Sequence, residues 1–285
     1  MPLTCTPLRY PGGKSKLYDF VVRLLRHNQL HGCTYVEPFA GGAGLALSLL
    51  QKGHVREIII NDLDYAIYAF WHCVLNETED FVSAINEIPV TVNEWVKQRE
   101  IQKEPHEHGI FKIGLSTFFL NRVNRSGIIK GGVIGGLNQD GQYKLDCRFN
   151  KKDLIEKIKR VSSMKDRIRL GNLDVVEFVP AVINHLSYHS LIYFDPPYIV
   201  QGSNLYYNYY NQEDHKALSA LIKEVQQPWI LTYDNEPLVY DVYGGYEISQ
   251  LLLTYSAGSK RSGTELVVYG NKILPLDSNK KDSVG

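Results

Sequence analysis

The sequence predicts an α/β fold: a doubly wound, Rossmann-like sheet interrupted by a mainly helical insert that carries a hairpin. Three observations predict it. Short apolar segments ending in glycine-rich or acidic turns alternate with helical segments over residues 34–75. That alternation stops near residue 76 and resumes after residue 150. Between the two points lie helical patterning over residues 78–122 and then six glycines within residues 126–148.

Taken in chain order, residues 34–38 (Thr-Tyr-Val-Glu-Pro) read as a strand that runs into a glycine-rich turn at 39–44, and residues 43–50 as a helix. Residues 57–61 form a second buried strand, followed by a helix over 64–75. Pro89 and Pro105 punctuate the helical stretch, and a turn at Asn138-Gln139-Asp140-Gly141 suggests the hairpin. After a helix at 151–163, strands are expected at 168–171, 190–194, 229–232, 246–254 and 265–269, with core-facing stripes on the helices at 151–163 and 211–225. The expected division is a catalytic domain over 1–75 and 151–285, an insert over 76–150, whose role as a target-recognition segment is what the resemblance named below implies, and a polar, frayed tail from 272 to 285.

The 285 residues contain 44% hydrophobic and 22% charged side chains, the balance of a packed globular chain. No apolar run approaches the roughly 20 residues of a membrane-spanning helix, and the N-terminus lacks a secretory h-region. Cys5, Cys33, Cys73 and Cys147 show neither CxxC nor zinc-like spacing, so reduced thiols in a cytoplasmic protein are expected. The nine histidines form no metal-binding pattern, and no metal is expected. Net charge is zero, but residues 97–170 hold 17 Lys and Arg against 8 Asp and Glu. Such a segment is either a solvated helical face or an electrostatic footprint for phosphates.

Two segments look able to hold a nucleoside-containing cofactor. In Glu37-Pro38-Phe39-Ala40-Gly41-Gly42-Ala43-Gly44, glycines between strand and helix let the backbone pass close to a ligand. Glu37, Phe39 and Gly41 are the contact candidates there. Asp62 ends the next strand, about 20 residues on, where a carboxylate can accept hydrogen bonds from ribose hydroxyls. Its alternative duty is to cap the following helix. Near the N-terminus, Arg9-Tyr10-Pro11-Gly12-Gly13-Lys14 fails the P-loop spacing. Lys14 suits a carboxylate, such as that of a methionine moiety, and Tyr10 suits packing on the cofactor; the alternative is a basic turn.

A third segment suits amine chemistry. The strand at 190–194 ends in Asp195-Pro196-Pro197-Tyr198. The two prolines remove two amide donors and leave carbonyls as unpaired acceptors. Asp195 and the Pro196 carbonyl can accept the two hydrogens of an aromatic amine, which frees its lone pair for attack, and Tyr198 can stack on the ring. An adenine in a duplex must be flipped out to reach such a turn. Tyr206-Tyr207-Asn208-Tyr209-Tyr210 is placed either as a stacking lid or as packing tyrosines, and Ser259-Lys260-Arg261 as a charged loop within reach of phosphate.

These motifs in this order resemble the Dam-type family of adenine DNA methyltransferases: RYPGGK at 9–14, EPFAGGAG at 37–44, Asn61-Asp62, FFLNR at 118–122, RFN at 148–150, Asp174 and DPPY at 195–198. The resemblance spans nearly everything from Leu8 to Asn271. It implies a Rossmann-like S-adenosylmethionine-dependent methyltransferase fold acting on the N6 amine of adenine in duplex DNA. It implies that Tyr10 and Lys14 contact the cofactor, Asp62 its ribose and Asp174 the surroundings of its adenine, with Asp195 between cofactor and target base. It further implies a DNA-contacting hairpin at 121–146, with Arg122, Asn124, Arg125 and Lys130 as contacts. A monomer, with or without an associated restriction endonuclease, is the expected state. Amine methylation on RNA or protein and a catalytically silent DNA-binding relative are the alternatives. Cytosine ring methylation is disfavoured, because none of the four cysteines follows a proline.

Overall fold

The computed structural model describes residues 5–9, 14–199, 210–255 and 261–276. Seven strands form one sheet in the order β3-β2-β1-β4-β5-β7-β6. They are β1 (Thr34–Glu37), β2 (Glu57–Asn61), β3 (Ile168–Gly171), β4 (Ser190–Phe194), β5 (Trp229–Asp234), β6 (Glu247–Tyr255) and β7 (Arg261–Gly270). Strands β1 to β5 run parallel, and β7 inserts antiparallel between β5 and β6.

Alternate residues of each central strand enter different cores, as expected of a parallel sheet covered on both faces. Tyr35, Ile58, Ile60, Leu191, Tyr193 and Ile230 pack on one side. Val36, Ile59, Ile192, Phe194, Trp229 and Leu231 pack on the other. The first core takes the buried sides of α1 (Tyr18–His27), α2 (Gly44–Gln51) and α3 (Tyr65–Asn76). The second takes α8 (Val175–Ala181), α9 (Gln212–Glu224) and α10 (Pro237–Tyr243). Because the order reverses between β1 and β4, connections leave those neighbours in opposite directions and open a crevice beyond their C-terminal ends.

The insert contributes α4 (Thr78–Glu87), α5 (Val92–Ile101) and α6 (Ile110–Val123), and α7 (Lys151–Ser162) returns the chain to the sheet. Phe81, Ile85, Phe118 and Phe119 belong to the same buried cluster as Leu24 and Tyr35. The insert therefore shares a core with the sheet and owns none of that size. A Cβ on Gly114 would lie 2.5 Å from Cys73 Sγ and 2.7 Å from the Ala69 carbonyl oxygen, so glycine is what lets α6 press onto α3.

The expected hairpin does not form. Within residues 124–150 the only ladder contact is a single antiparallel bridge between Asn124 and Val133. Ser126, Gly127, Gly135, Gly136 and Gln139 all have positive φ, which turns the chain too often for an extended pair. The Gln139 side chain closes the loop instead, donating to the Ile134 and Gly136 carbonyls and accepting from Leu145 N–H. The expected fraying from residue 272 is also revised at its start. Ile273 is buried, and Asn28 exchanges two side-chain hydrogen bonds with the Leu274 backbone. Residues 277–285 lie outside the described residues. No helix among the described residues is long and apolar enough to cross a membrane.

Candidate active site

The turn after β1 is built from both ends. Gly41 and Ala43 take left-handed conformations, with φ of 47° and 46°. Trp71 Nε1–H on α3 donates to the Gly41 carbonyl at 2.9 Å, and Asp62 accepts from Gly41 N–H at 2.8 Å. The second Asp62 oxygen accepts from Asp64 N–H at 2.9 Å. Helix α3 is capped by Asp64, which accepts from Ala66 N–H, so the cap alternative for Asp62 falls to its neighbour. Burial, and then the adjacent Asp64 carboxylate, push the Asp62 carboxyl up to about 7. Asn61 staples the same corner: its amide donates to the Pro38 and Leu173 carbonyls and its oxygen accepts from Leu173 N–H.

Glu37 lies beneath the turn, only 5% exposed, and accepts from Ala46 N–H in the first turn of α2 at 3.1 Å. It thus supplies an acceptor that the backbone-only cap at Ala43 lacks. Burial pushes its carboxyl up to about 8. Phe39 is half-buried, edge-on to Tyr210 with ring centroids 6.4 Å apart. Asp174 caps α8 through Val176 N–H and is a charge that raises the Tyr210 hydroxyl, after the larger effect of burial. Phe39, Asp174 and Tyr210 therefore border one corner at the C-terminal ends of β1 and β3.

One strand away, the turn after β4 carries the second group. Asp195 Oδ1 accepts from Thr232 Oγ of β5 at 3.0 Å and lies 3.3 Å from Lys14 Nζ. Pro196 is buried, Pro197 and Tyr198 are half-buried, and Ile199 N–H donates to Asp234, which holds the exit of the turn. Lys14 Nζ also donates to both oxygens of Glu265 on β7, at 2.8 and 2.9 Å, and to the Tyr198 hydroxyl oxygen at 2.8 Å. The sequence suggested a cofactor carboxylate for Lys14; the structure pairs it with carboxylates of the protein. Burial raises the Asp195 carboxyl to about 6, with Lys14 pulling it down and Glu265 pushing it up. Glu265 and Thr232 were missed from sequence. Their one signal was a polar residue on a strand whose other residues are mostly apolar.

The residues expected to contact DNA divide. Asn124 is fully buried, accepting from Trp95 Nε1–H at 2.7 Å and donating to the Ile128 and Ile129 carbonyls. It shapes the loop from inside, which corrects its expected place on the DNA surface. Arg122 is half-buried and pinned to the Arg148 and Pro7 carbonyls, and burial lowers its guanidinium to about 10. It too has a structural duty. Arg125 and Lys130 are exposed, and Lys130 lies near enough to Asp64 to favour that carboxylate's charge. Asn121 joins this loop to the N-terminal motif: it accepts from Arg9 N–H and donates to the Arg9 and Gly127 carbonyls. Part of the basic excess of residues 97–170 is spent internally, as with Lys151 on the Asn86 and Ile88 carbonyls and Arg167 on Val55 and Arg56. Tyr10, Tyr206 to Tyr209, Ser259 and Lys260 lie outside the described residues.

A crevice at a sheet's switch point thus has two neighbouring halves. One offers a backbone cradle with an acidic edge, the other an aspartate followed by two prolines, with a lysine and a phenol beside it.

Comparison with known proteins gives three relatives and a family. The family described as D12 class N6 adenine-specific DNA methyltransferase matches residues 10–256. The Type II methyltransferase M.MjaIII of Methanocaldococcus jannaschii is 25% identical, over 67% of this chain and 68% of its own. The Type II methyltransferase M1.LlaDCHI of Lactococcus lactis is 22% identical, over 92% of this chain and 95% of its own. The Type II methyltransferase M.CviBI of Paramecium bursaria Chlorella virus NC1A is 22% identical, over 84% and 86%.

Proposed function

Because the chain belongs to the D12 class of N6 adenine-specific DNA methyltransferases, we propose that its methyl donor is S-adenosylmethionine, held over the β1 and β2 turns, and that a flipped adenine of duplex DNA meets it at Asp195 to Tyr198. One observation carries this reading: the aspartate of the Pro-Pro turn and the acidic-edged glycine turn occupy adjacent strand ends at the switch point of one sheet.

The residues present fit that donor. Each Asp62 oxygen accepts one backbone amide and keeps a further lone pair for ribose hydroxyls. Gly41 brings bare backbone to the ligand, Glu37 holds the turn, and Phe39 and Asp174 flank the place of the nucleoside base. The donor, when bound, supplies a methyl group on a positively charged sulfur. Every other part of the reaction falls to the protein. The adenine amine is a poor nucleophile because its lone pair is delocalised into the purine. Asp195 and the Pro196 carbonyl accept its two hydrogens and favour the geometry in which that lone pair is free. Pro197 stiffens the turn and Tyr198 stacks on the base. Lys14 tunes the charge of Asp195. Transfer is direct and in line, with no covalent enzyme intermediate.

Residues 1–75 and 151–285 serve as the catalytic part and 76–150 as the recognition insert. Arg125 and Lys130 meet DNA directly, while Arg122 and Asn124 set the shape of their loop. The Type II names of the relatives favour a restriction-modification setting with an accompanying endonuclease. One subunit suffices for one target base, which favours a monomer. The test incubates the protein with labelled S-adenosylmethionine and mixed-sequence duplex DNA, then digests the DNA to nucleosides. Label is expected in N6-methyladenine; label confined to RNA or protein substrates would overturn the assignment.

A further inference from the structure

Glu265 is a glutamate only 3% exposed, set in β7 just before Leu266, Val267 and Val268. Its register partner on β5 is Asp234. A charged side chain in such a strand is costly to bury unless it is fully paired. Glu265 is paired twice over. It accepts from Lys14 Nζ through both oxygens and from the Tyr198 hydroxyl at 2.7 Å, while that hydroxyl oxygen accepts from Lys14 at 2.8 Å. The Lys14 ammonium also sits 4.9 Å from the centre of the Tyr198 ring.

We propose that Glu265 is a positioning residue for methyl transfer: it holds Lys14 and Tyr198 as one unit and so keeps the Asp195 carboxylate available to the target amine. The proposal rests on the assignment of Asp195 and Tyr198 to that amine. The argument is one of competition. A buried lysine facing a single carboxylate closes on it and occupies the acceptor lone pairs. Here Glu265 draws Lys14 to 2.8 Å and leaves it 3.3 Å from Asp195. The Asp195 carboxylate thus gains a nearby cation without giving up its outer oxygen. The same glutamate fixes the phenol at its hydroxyl end, which leaves the ring face as the part of Tyr198 able to meet a base.

The groups facing Asp195 are Lys14, Thr232 and Tyr233 of β5, Tyr193 of β4, Tyr35 and Glu37 of β1, and Glu265 itself. Removing the Glu265 charge takes away a repulsion and lets Lys14 move toward Asp195. Both changes favour the ionised aspartate, so both move the acid limb of the rate profile downward.

The full chain is assayed for methyl transfer to duplex DNA as wild type, Glu265→Gln, Tyr198→Phe and the double variant. Absence of transfer by the wild type would fail the underlying assignment, not this proposal. With wild-type transfer established, Glu265→Gln is expected to lose about tenfold or more in kcat, with cofactor and DNA affinities held within about threefold. Its acid limb should lie at lower pH than that of the wild type. Tyr198→Phe, which keeps the ring and loses only the hydroxyl, should lose part of the same kcat, and the double variant should lose no more than Glu265→Gln. Wild-type kcat in Glu265→Gln, or a lowered kcat with an unmoved acid limb, would overturn the proposal. Where Glu265→Gln does not fold, Tyr198→Phe decides: full kcat there overturns it as well.

Discussion

Asp62 and Gly41 are joined by a 2.8 Å hydrogen bond from the glycine amide to the aspartate, which makes the end of β2 and the turn after β1 one piece. The carboxylate organises the cradle and, in the proposed function, faces the ligand from the cradle's edge. Asp62→Asn offers one acceptor oxygen in place of two and sets an NH2 against a backbone N–H. A lost charge-assisted hydrogen bond costs about 1.5–3 kcal/mol, so cofactor KM should rise roughly tenfold to a hundredfold with kcat nearly unchanged. Titration calorimetry with S-adenosylmethionine checks it; an unchanged Kd would remove Asp62 from the cofactor site.

On the proposed function Asp195 is ionised when it accepts hydrogen bonds from the amine, and burial raises its carboxyl to about 6. The rate of single-turnover transfer should therefore fall as pH drops through 6. Asp195→Asn should lower that rate by about a thousandfold, while cofactor affinity changes little. A flat rate from pH 5 to 8, or turnover undiminished in the variant, would take the hydrogen-bond-accepting role away from Asp195.

Stability should run the other way. Glu37, Asp62 and Asp195 have carboxyls raised to about 8, 7 and 6, all above their unfolded values. The folded state holds these protons more tightly than the unfolded chain does. That contribution is complete below about pH 4 and is lost as pH rises through 6 to 8. The Tm of the ligand-free protein should decline between about pH 5.5 and 8.5 in calorimetry. A Tm that climbs over that window would contradict the burial assigned to these groups.

Arg125 and Asn124 are adjacent in sequence and differ in kind. Arg125→Ala should weaken DNA binding, reduce the salt slope of log Kd by about 1, and leave Tm nearly unchanged. Asn124→Ala strips the partners of Trp95 Nε1 and of two carbonyls. It should cost roughly 2–4 kcal/mol of stability. Fluorescence anisotropy with duplex DNA and thermal melts separate the two; equal effects in both assays would refute the division.

Gly127 has a φ of 79°, and a Cβ there would lie 2.5 Å from the Arg9 carbonyl oxygen. Gly127→Ala should destabilise by roughly 1–3 kcal/mol and push the recognition loop off the Arg9–Asn121 contact. Melting and DNA affinity should both suffer. A neutral substitution would mean that the loop tolerates a different path.

Most of the sheet could be read in the chain. Strands β2 and β4 lie where apolar runs of three and four residues meet turn residues, because burial on both faces demands continuous hydrophobicity, while the edge strand β3 shows only the alternation of Ile168 and Leu170 with Arg169. Helix α1 was not anticipated, although Leu17, Phe20, Val21, Leu24 and Leu25 form a buried stripe at helical spacing. The hairpin failed because glycine-rich turns permit many paths and only side chains such as Gln139 select one. Arg122 and Asn124 read as DNA contacts because the resemblance assigns DNA contact to the segment as a whole, and only the located partner carbonyls show which of its polar side chains are held inside.

Asp62 and Asp195 were legible from sequence alone, since a motif at a strand end fixes the local geometry of its own side chain: an acid after β2 and an acid before two prolines. Their neighbours were not. Glu265 stands 251 positions from Lys14 along the chain, and only the antiparallel insertion of β7 beside β5 brings them within 2.8 Å. Local propensity is written in adjacent residues, and it determined the strands and the turns. Which charges share a buried site is decided by sheet order, a property of the whole chain, and that the tertiary structure alone supplied.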